Sequence, residues 1–252
     1  MIDLHTHILP GVDDGASDVS VSLALLRTLK EEGVDKVVFT PHFYWQENTV
    51  SRFLENRKKA YSALCEAGIP EGMEIRLGAE AQFGEIEVSP ESLRPFAFDS
   101  GNYILIELPF EEEWHASLFK RIENLIYLGN LKPIVAHVER YPAARKVPAK
   151  IARLADMGCL IQVNCSSILR AREGGLVNAL LSHDQIHCLG SDCHNMTTRR
   201  PHYAEAIAAL TQKCGAAYVE KLQRNMSDVL SGRTPRVSAA SPIRKTLFGN
   251  FR

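Results

Sequence analysis

The stretch IDLHTH (residues 2–7) decides how the rest of the chain is read. It opens apolar and β-branched, as a strand does, and ends in two histidines two positions apart. Side chains alternate across a strand with period two, so His5 and His7 point to the same face. A shared face is what a metal ion needs, and an acidic pair, Asp13-Asp14, follows closely.

Working outward, runs of the same character recur at 34–42, 75–83, 103–110, 131–140, 159–167 and 186–195. Segments with helical periodicity lie between them, at 17–33, 48–68, 114–129, 144–158 and, more briefly, 174–183. Gly33, Gly68, Gly129 and Gly158 stand where helix-ending glycines stand. The stretch between the third and fourth runs is less regular and carries Pro90 and Pro95.

Seven strands alternating with helices predict an α/β protein. The strands should be parallel, joined by right-handed crossovers and closed into a distorted seven-stranded (β/α)7 TIM-like barrel. Residues 202–215 and 216–230 read as two closing helices, which makes 1–230 one domain. The remainder, 231–252, holds Arg233, Arg236, Arg244, Lys245 and Arg252 with no acidic residue. It is expected to fray, to dock Phe248 and Phe251 on a neighbouring subunit, or to meet an acidic partner through its basic residues.

Composition removes several function classes. At 252 residues and 45% hydrophobic, the chain can bury a sizeable core. A net charge of −1 gives no general reason to bind nucleic acid or an anionic membrane. No run approaches the roughly 18 apolar residues of a membrane span. A first strand beginning at Ile2 leaves no room for a cleavable leader, so a cytoplasmic location is expected. Six cysteines without C-x-x-C spacing read as reduced thiols.

Metal-competent residues cluster at the C-terminal ends of the runs: His5 and His7, His42, Glu80, Glu107, His137, then Asp192 and His194, with Asp14 beyond the first run. In parallel barrels those ends converge on one mouth. A lone strand histidine is more often a hydrogen-bonded core residue than a ligand. Six run ends delivering ionisable groups together are different, because burying them without counter-charge is very costly. Metal cations supply that charge. A mixed imidazole and carboxylate set without thiolates suits Mn²⁺, Fe²⁺ or Zn²⁺, and so many ligands exceed one four-coordinate ion. Two or three divalent ions are expected.

"DLHTH", "TPH", "GAE", "AHVERY" and "SDCHN", in this order, resemble the PHP (polymerase and histidinol phosphatase) superfamily. With "VDDG", "IELPF" and "VNCSS" the chain is more closely similar to the metal-dependent bacterial protein-tyrosine phosphatases of capsule and exopolysaccharide operons, over about residues 1–230. The resemblance implies that His5, His7, Glu80 and Asp192 hold one ion, that Glu80 bridges to a second held by Glu107 and His137, and that Asp14, His42 and His194 hold a third. It implies Mn²⁺ foremost, and Arg140 and Arg199 on the phosphate, with Arg200 beside Arg199 as an alternative. It also implies a phosphotyrosine substrate on the tyrosine-rich tail of a polysaccharide-synthesis kinase, and leaves a homo-oligomer open.

The chemistry read from the residues agrees. A water between two close cations gives up its proton near neutral pH, so hydroxide can attack phosphorus in line. Guanidinium groups match the phosphate oxygens. A tyrosyl oxygen, with a pKa of about 10, leaves with little acid help, for which Asp192 or a metal-bound water is the candidate.

Rival readings are a histidinol-phosphate phosphatase on the same centre, an amidohydrolase-like barrel, and a non-catalytic metal-stabilised barrel. Cys193 to Arg199 also satisfies the C-x5-R spacing of thiolate phosphatases. No glycine lies between them, however, and Asp192 beside the thiol would raise its pKa. His115, His183 and His187 read as surface or core-edge groups, and His202 either as a cap or supporting group or as a direct participant in the site. Phe43-Tyr44-Trp45 would either stack on a phosphotyrosine ring or pack over the rim. Glu111-Glu112-Glu113 is expected to open a helix.

Overall fold

Among the described residues every pairing between strands is parallel, in two sheets of three and six strands. The computed structural model describes residues 1–84, 88–99, 101–111, 113–246 and 249–252; Glu112 and Phe248, singled out above, lie outside the described residues. The chain runs β1 (Ile2–Thr6), α1 (Val19–Glu31), β2 (Lys36–Phe39), β3 (His42–Phe43), α2 (Val50–Ala67), β4 (Glu74–Leu77), β5 (Glu80–Gln82), α3 (Pro90–Leu93), β6 (Tyr103–Glu107) and α4 (Ala116–Tyr127). It continues through β7 (Lys132–Val135), α5 (Pro142–Lys146), α6 (Ala149–Asp156), β8 (Leu160–Asn164), α7 (Cys165–Leu169), α8 (Leu176–Ser182), β9 (Cys188–Gly190), α9 (Tyr203–Cys214) and α10 (Ala216–Leu230).

The sheets have the orders β1-β2-β4 and β3-β5-β6-β7-β8-β9. Beyond β9 the chain meets β1: the amide of His7 donates to Cys193 O at 3.0 Å and that of Asp192 to His5 O at 2.9 Å. The strands thus curl into a distorted barrel, with β1 and β9 completing the turn.

Among the described residues nine strands stand where seven runs were read, because two runs break. The run at 34–42 ends β2 at Phe39, steps across Thr40-Pro41 and restarts as β3. Pro41 has no N–H for a ladder, although its carbonyl still accepts from the Glu80 amide at 3.1 Å. The run at 75–83 breaks at Gly78-Ala79, where a Cβ on Gly78 would lie 2.6 Å from the Phe98 ring. Both restarts move into the larger sheet, and there His42 stands in register with Glu80.

The helices follow their caps, with exceptions. Asp18 accepts from the amides of Ser20 and Val21 to start α1, and Gly33, Gly68 and Gly158 take positive φ after their helices. Gly129 does not. Asn130 adopts the left-handed conformation instead (φ 48°), and Gly129 is needed for close approach, since a Cβ there would meet Pro90 Cβ at 2.7 Å. Pro148 splits the segment at 144–158 into α5 and α6. Glu111 and Glu113 do not open α4, which starts at Ala116; Glu113 pairs with Lys146 at 3.3 Å.

The end of the tail folds back on its own chain. Arg244 and Arg252 exchange backbone hydrogen bonds, and the Phe251 amide donates to Gly174 O at 2.9 Å. Among the described residues, no helix is long and apolar enough to cross a membrane.

Candidate metal centre

All nine residues read as ligands lie at the C-terminal end of the strands, within one connected network of contacts. His5 Nε2 is 3.0 Å from Glu80 Oε2 and 3.6 Å from Asp192 Oδ1, and His7 Nε2 is 3.2 Å and 3.4 Å from the same oxygens. His137 Nε2 lies 2.8 Å from Glu80 Oε1 and 3.4 Å from Glu107 Oε1. His42 Nδ1 approaches Glu80 Oε2 at 3.2 Å, and His194 Nε2 approaches Asp14 Oδ1 at 3.3 Å. Glu80 thus reaches four of the five histidines while itself fully buried.

On three of the five rings a hydrogen bond on the far side fixes which nitrogen is bare. Gln162 Oε1 accepts from the His137 amide at 2.7 Å, a partner that can only donate, so the side-chain oxygen is placed there. His5 Nδ1, 3.1 Å from that oxygen, must therefore be its donor. His7 Nδ1 donates to Asp13 Oδ2 at 2.6 Å, and His194 Nδ1 to the Asp192 carbonyl at 3.0 Å. The Nε2 lone pairs of His5, His7 and His194 are left facing inward.

The residues fit divalent metal. His5 Nε2 and His7 Nε2 stand 3.0 Å apart, and two imidazolium N–H groups cannot face each other at that distance. Both rings therefore cannot be protonated at this spot at once, whereas a cation bound by both lone pairs would meet the charge of Glu80 and Asp192 together. The buried His42 Nδ1, His137 Nδ1 and His194 Nε2 have no aligned hydrogen-bond partner. Three tight groups could each hold an ion: His5, His7 and Glu80; His42, Glu80 and Glu107; and His7, Asp14, His42 and His194.

The electrostatics point the same way. Burial opposes charge on His7 and His137, but Asp13 and Glu80 outweigh it at His7, and Glu80 and Glu107 at His137, pushing both up to about 10. Glu80, against its own burial, is held well below the carboxylate range by His5, His42 and His137. Burial keeps His42 and His194 below the usual imidazole value.

Two site residues occupy the left-handed region: His137 (φ 30°) and Asp192 (φ 53°). A non-glycine residue pays for that conformation, which persists only where its surroundings impose it. At Asp192 the imposed position serves two arginines. Arg199 Nη2 donates to Oδ1 at 2.8 Å and Arg140 Nη1 to Oδ2 at 3.3 Å, while the Arg140 guanidinium lies over the Phe110 ring.

The other singled-out residues fall into place. Cys193 is fully buried, and burial pushes its thiol well above the usual value, so it is no thiolate nucleophile. Phe43 belongs to the core, against Phe53 and Phe96, and Trp45 donates to Gln82 O. Tyr44 stacks on His42 at the mouth. His115 is exposed and His183 bonds Ser241, but His187, read as a surface or core-edge group, is 1% exposed. His202 starts α9 and pairs with Glu205 at 3.2 Å.

Sequence reasoning gave no role to Asp13, although it noted the residue, and missed Gln162 and Asn164. Asp13 orients His7 and also accepts from the His42 amide at 2.8 Å. Gln162 donates to Asn164 Oδ1 at 2.9 Å, and Asn164 to Asp192 Oδ2 at 2.7 Å, so one amide relay ties His5 and His137 to Asp192. The available signal was Gln162 and Asn164, two amides at strand spacing inside an otherwise apolar run.

Comparisons with known proteins cover the whole chain. The profile of a family described as "Capsular polysaccharide synthesis, CpsB/CapC" matches residues 1–231. Tyrosine-protein phosphatase YwqE of Bacillus subtilis is 32% identical over 100% of both chains. Tyrosine-protein phosphatase CpsB of Streptococcus pneumoniae is 30% identical over 88% of this chain and 94% of its own. A crystal structure from work on those two proteins, described there as unique metal-dependent tyrosine phosphatases, superposes with a TM-score of 0.84 at 26% identity, covering 97% of this chain and 100% of the other.

Proposed function

The chain belongs to the CpsB/CapC family of capsular polysaccharide synthesis, and from that premise we propose that it is a metal-dependent protein-tyrosine phosphatase. Its substrate in this reading is phosphotyrosine on a tyrosine kinase of polysaccharide synthesis, and it acts in the cytoplasm, where its six free thiols stay reduced. The observation that carries the reading is the convergence of Arg140 and Arg199 on the Asp192 edge of the histidine and carboxylate cluster.

His5, His7, Asp14, His42, Glu80, Glu107, His137, Asp192 and His194 would hold two or three divalent ions, Mn²⁺ foremost, with Glu80 shared between sites. Such ions, when bound, supply Lewis-acidic charge and a water of lowered pKa. Arg140 and Arg199 would exchange Asp192 for phosphate oxygens, meeting the charge that builds on them with planar donors already aimed at one point. Asp192, held by Asn164 Nδ2, keeps both guanidinium groups in place until substrate arrives. The tyrosyl oxygen, a leaving group with a pKa of about 10, asks little of a proton donor. Tyr44, stacked on His42, stands where it can flank the substrate ring.

The test is hydrolysis of a phosphotyrosine peptide and of histidinol phosphate by chelator-stripped protein and by protein reloaded with Mn²⁺, Fe²⁺, Zn²⁺ or Mg²⁺. Metal-restored turnover with preference for the peptide is expected. Equal rates before and after reloading overturn the reading, and a preference for histidinol phosphate replaces it with a small-molecule phosphatase.

A further inference from the structure

A cleft of about 730 Å³ opens beside the Asp192 edge of the cluster. That volume lies within the range of whole small-ligand sites, about 300–1,000 Å³, and a single phosphoryl group would leave most of it empty. Six arginines line it: Arg140, Arg145, Arg170, Arg172, Arg199 and Arg200.

The cleft has little negative charge of its own to balance them. Its two lining carboxylates, Glu139 and Asp192, are only 2% and 5% exposed. Glu139 accepts from the Asn164 amide at 3.1 Å, and Asp192 is engaged by Arg140 and Arg199. Arg145 gives its Nε to the Glu139 backbone carbonyl at 2.8 Å. Arg170, Arg172 and Arg200 are exposed, and among the described residues none of them has a carboxylate in ion-pair range. Like charges gathered along one wall without partners favour an incoming anion, and guanidinium forks bind phosphate and carboxylate alike.

The wall is part of the packed structure. Arg170 and Arg172 follow α7, and the turn after them is pinned where Phe251 bonds Gly174. Gly174 sits at φ +70°, and a Cβ there would meet Asn250 at 2.7 Å, so the tail packs directly on that turn and brings Phe251 into the cleft lining.

We propose that this cleft is a second oxyanion subsite, which takes a phosphate ester or carboxylate side chain near the phosphotyrosine on the same peptide, with Arg170 and Arg172 as its principal donors. The proposal rests on the phosphatase reading and deepens it: the preferred substrate is an acidic or multiply phosphorylated tyrosine peptide. Arg140 and Arg199 serve the phosphate that is cleaved, whereas Arg170 and Arg172 serve a group that is not.

Labelled peptides carrying phosphonomethyl-phenylalanine resist hydrolysis, so their affinity for the metal-loaded full chain can be read by fluorescence anisotropy. One peptide carries a single phosphonate among neutral residues, a second adds another phosphonate nearby, and a third adds glutamates there instead. The wild-type chain is expected to bind the second or third about tenfold more tightly than the first. Arg170→Gln/Arg172→Gln is expected to erase that advantage while binding the first peptide and melting as the wild type does. Which added group gives the advantage tells phosphate ester from carboxylate. Equal affinities for all three peptides in the wild type, or an advantage that survives in the double variant, overturn the proposal. The same preparations are assayed on p-nitrophenyl phosphate: a charge preference without any turnover there overturns the phosphatase reading and leaves the anion subsite standing.

Discussion

The half of the barrel built from β6, β7 and β8 and the half built from β2 to β5 deliver their site residues differently. In the first half the strands are unbroken. Glu107 closes β6, His137 follows β7 by two residues, and Gln162 and Asn164 sit within β8. In the second half each run stops and restarts in the other sheet, so that His42 and Glu80 are the first residues of β3 and β5. A continuous ladder places a side chain where the strand ends. A broken one re-aims it, and here the re-aimed pair includes the carboxylate that touches His5, His7, His42 and His137.

The largest effect should come from neutralising that shared carboxylate. Glu80→Gln keeps the shape and removes the charge, so phosphatase activity should fall about a thousandfold or more, with metal content falling in parallel. Metal retained at wild-type level, measured by plasma mass spectrometry, would show that the two halves do not depend on a common ligand. Next in size is the support that the unbroken half supplies. Gln162→Leu removes the acceptor that fixes the His5 tautomer and leaves the His137 amide unpaired, which should weaken metal binding about 10- to 100-fold in chelator competition. Unchanged affinity would mean that the rings are held by packing alone.

The break itself can be tested away from the chemistry. Gly78→Ala places a methyl 2.6 Å from the buried Phe98 ring, which cannot swing away, and should cost about 2 kcal/mol in urea unfolding. A neutral outcome would show that the step between β4 and β5 tolerates a side chain and is set elsewhere.

The unequal halves also explain what the sequence could convey. Apolar runs, and the ionisable residues at their ends, were legible because burial imposes them locally; nine residues from distant runs do meet at one mouth. The breaks were not legible, because TPH and GAE sit inside runs whose β character never lapses, and the causes are three-dimensional: a proline without a ladder donor and a glycine under a ring from residue 98. Gln162 and Asn164 escaped notice for a related reason. An amide in a strand signals nothing until the imidazole and the carboxylate it joins are seen on either side. The Arg170 and Arg172 wall lay outside every run, in a turn whose position depends on where the tail packs.

The smallest effect lies at the opposite end of the unbroken half, where the barrel carries stability and no ligands. His187 stands just before β9, its Nδ1 accepting from the Ile161 amide at 3.1 Å and its Nε2 buried without a partner. Burial, helped by Lys221 and opposed by Asp184, pushes its pKa down to about 4. The unfolded chain takes up this proton near pH 6.5 and the folded chain only near 4, so the stability tied to His187 is intact above pH 6.5 and drains away as pH falls towards 4. Between pH 8 and pH 5.5 the loss should be about 1 kcal/mol. His187→Asn offers the same acceptor without a titrating ring. The stability gap between wild type and variant should therefore shift by that amount across the interval, whatever the metal cluster contributes to both. A gap that stays constant with pH would place the neutral, buried imidazole outside the ladder that joins β8 to β9.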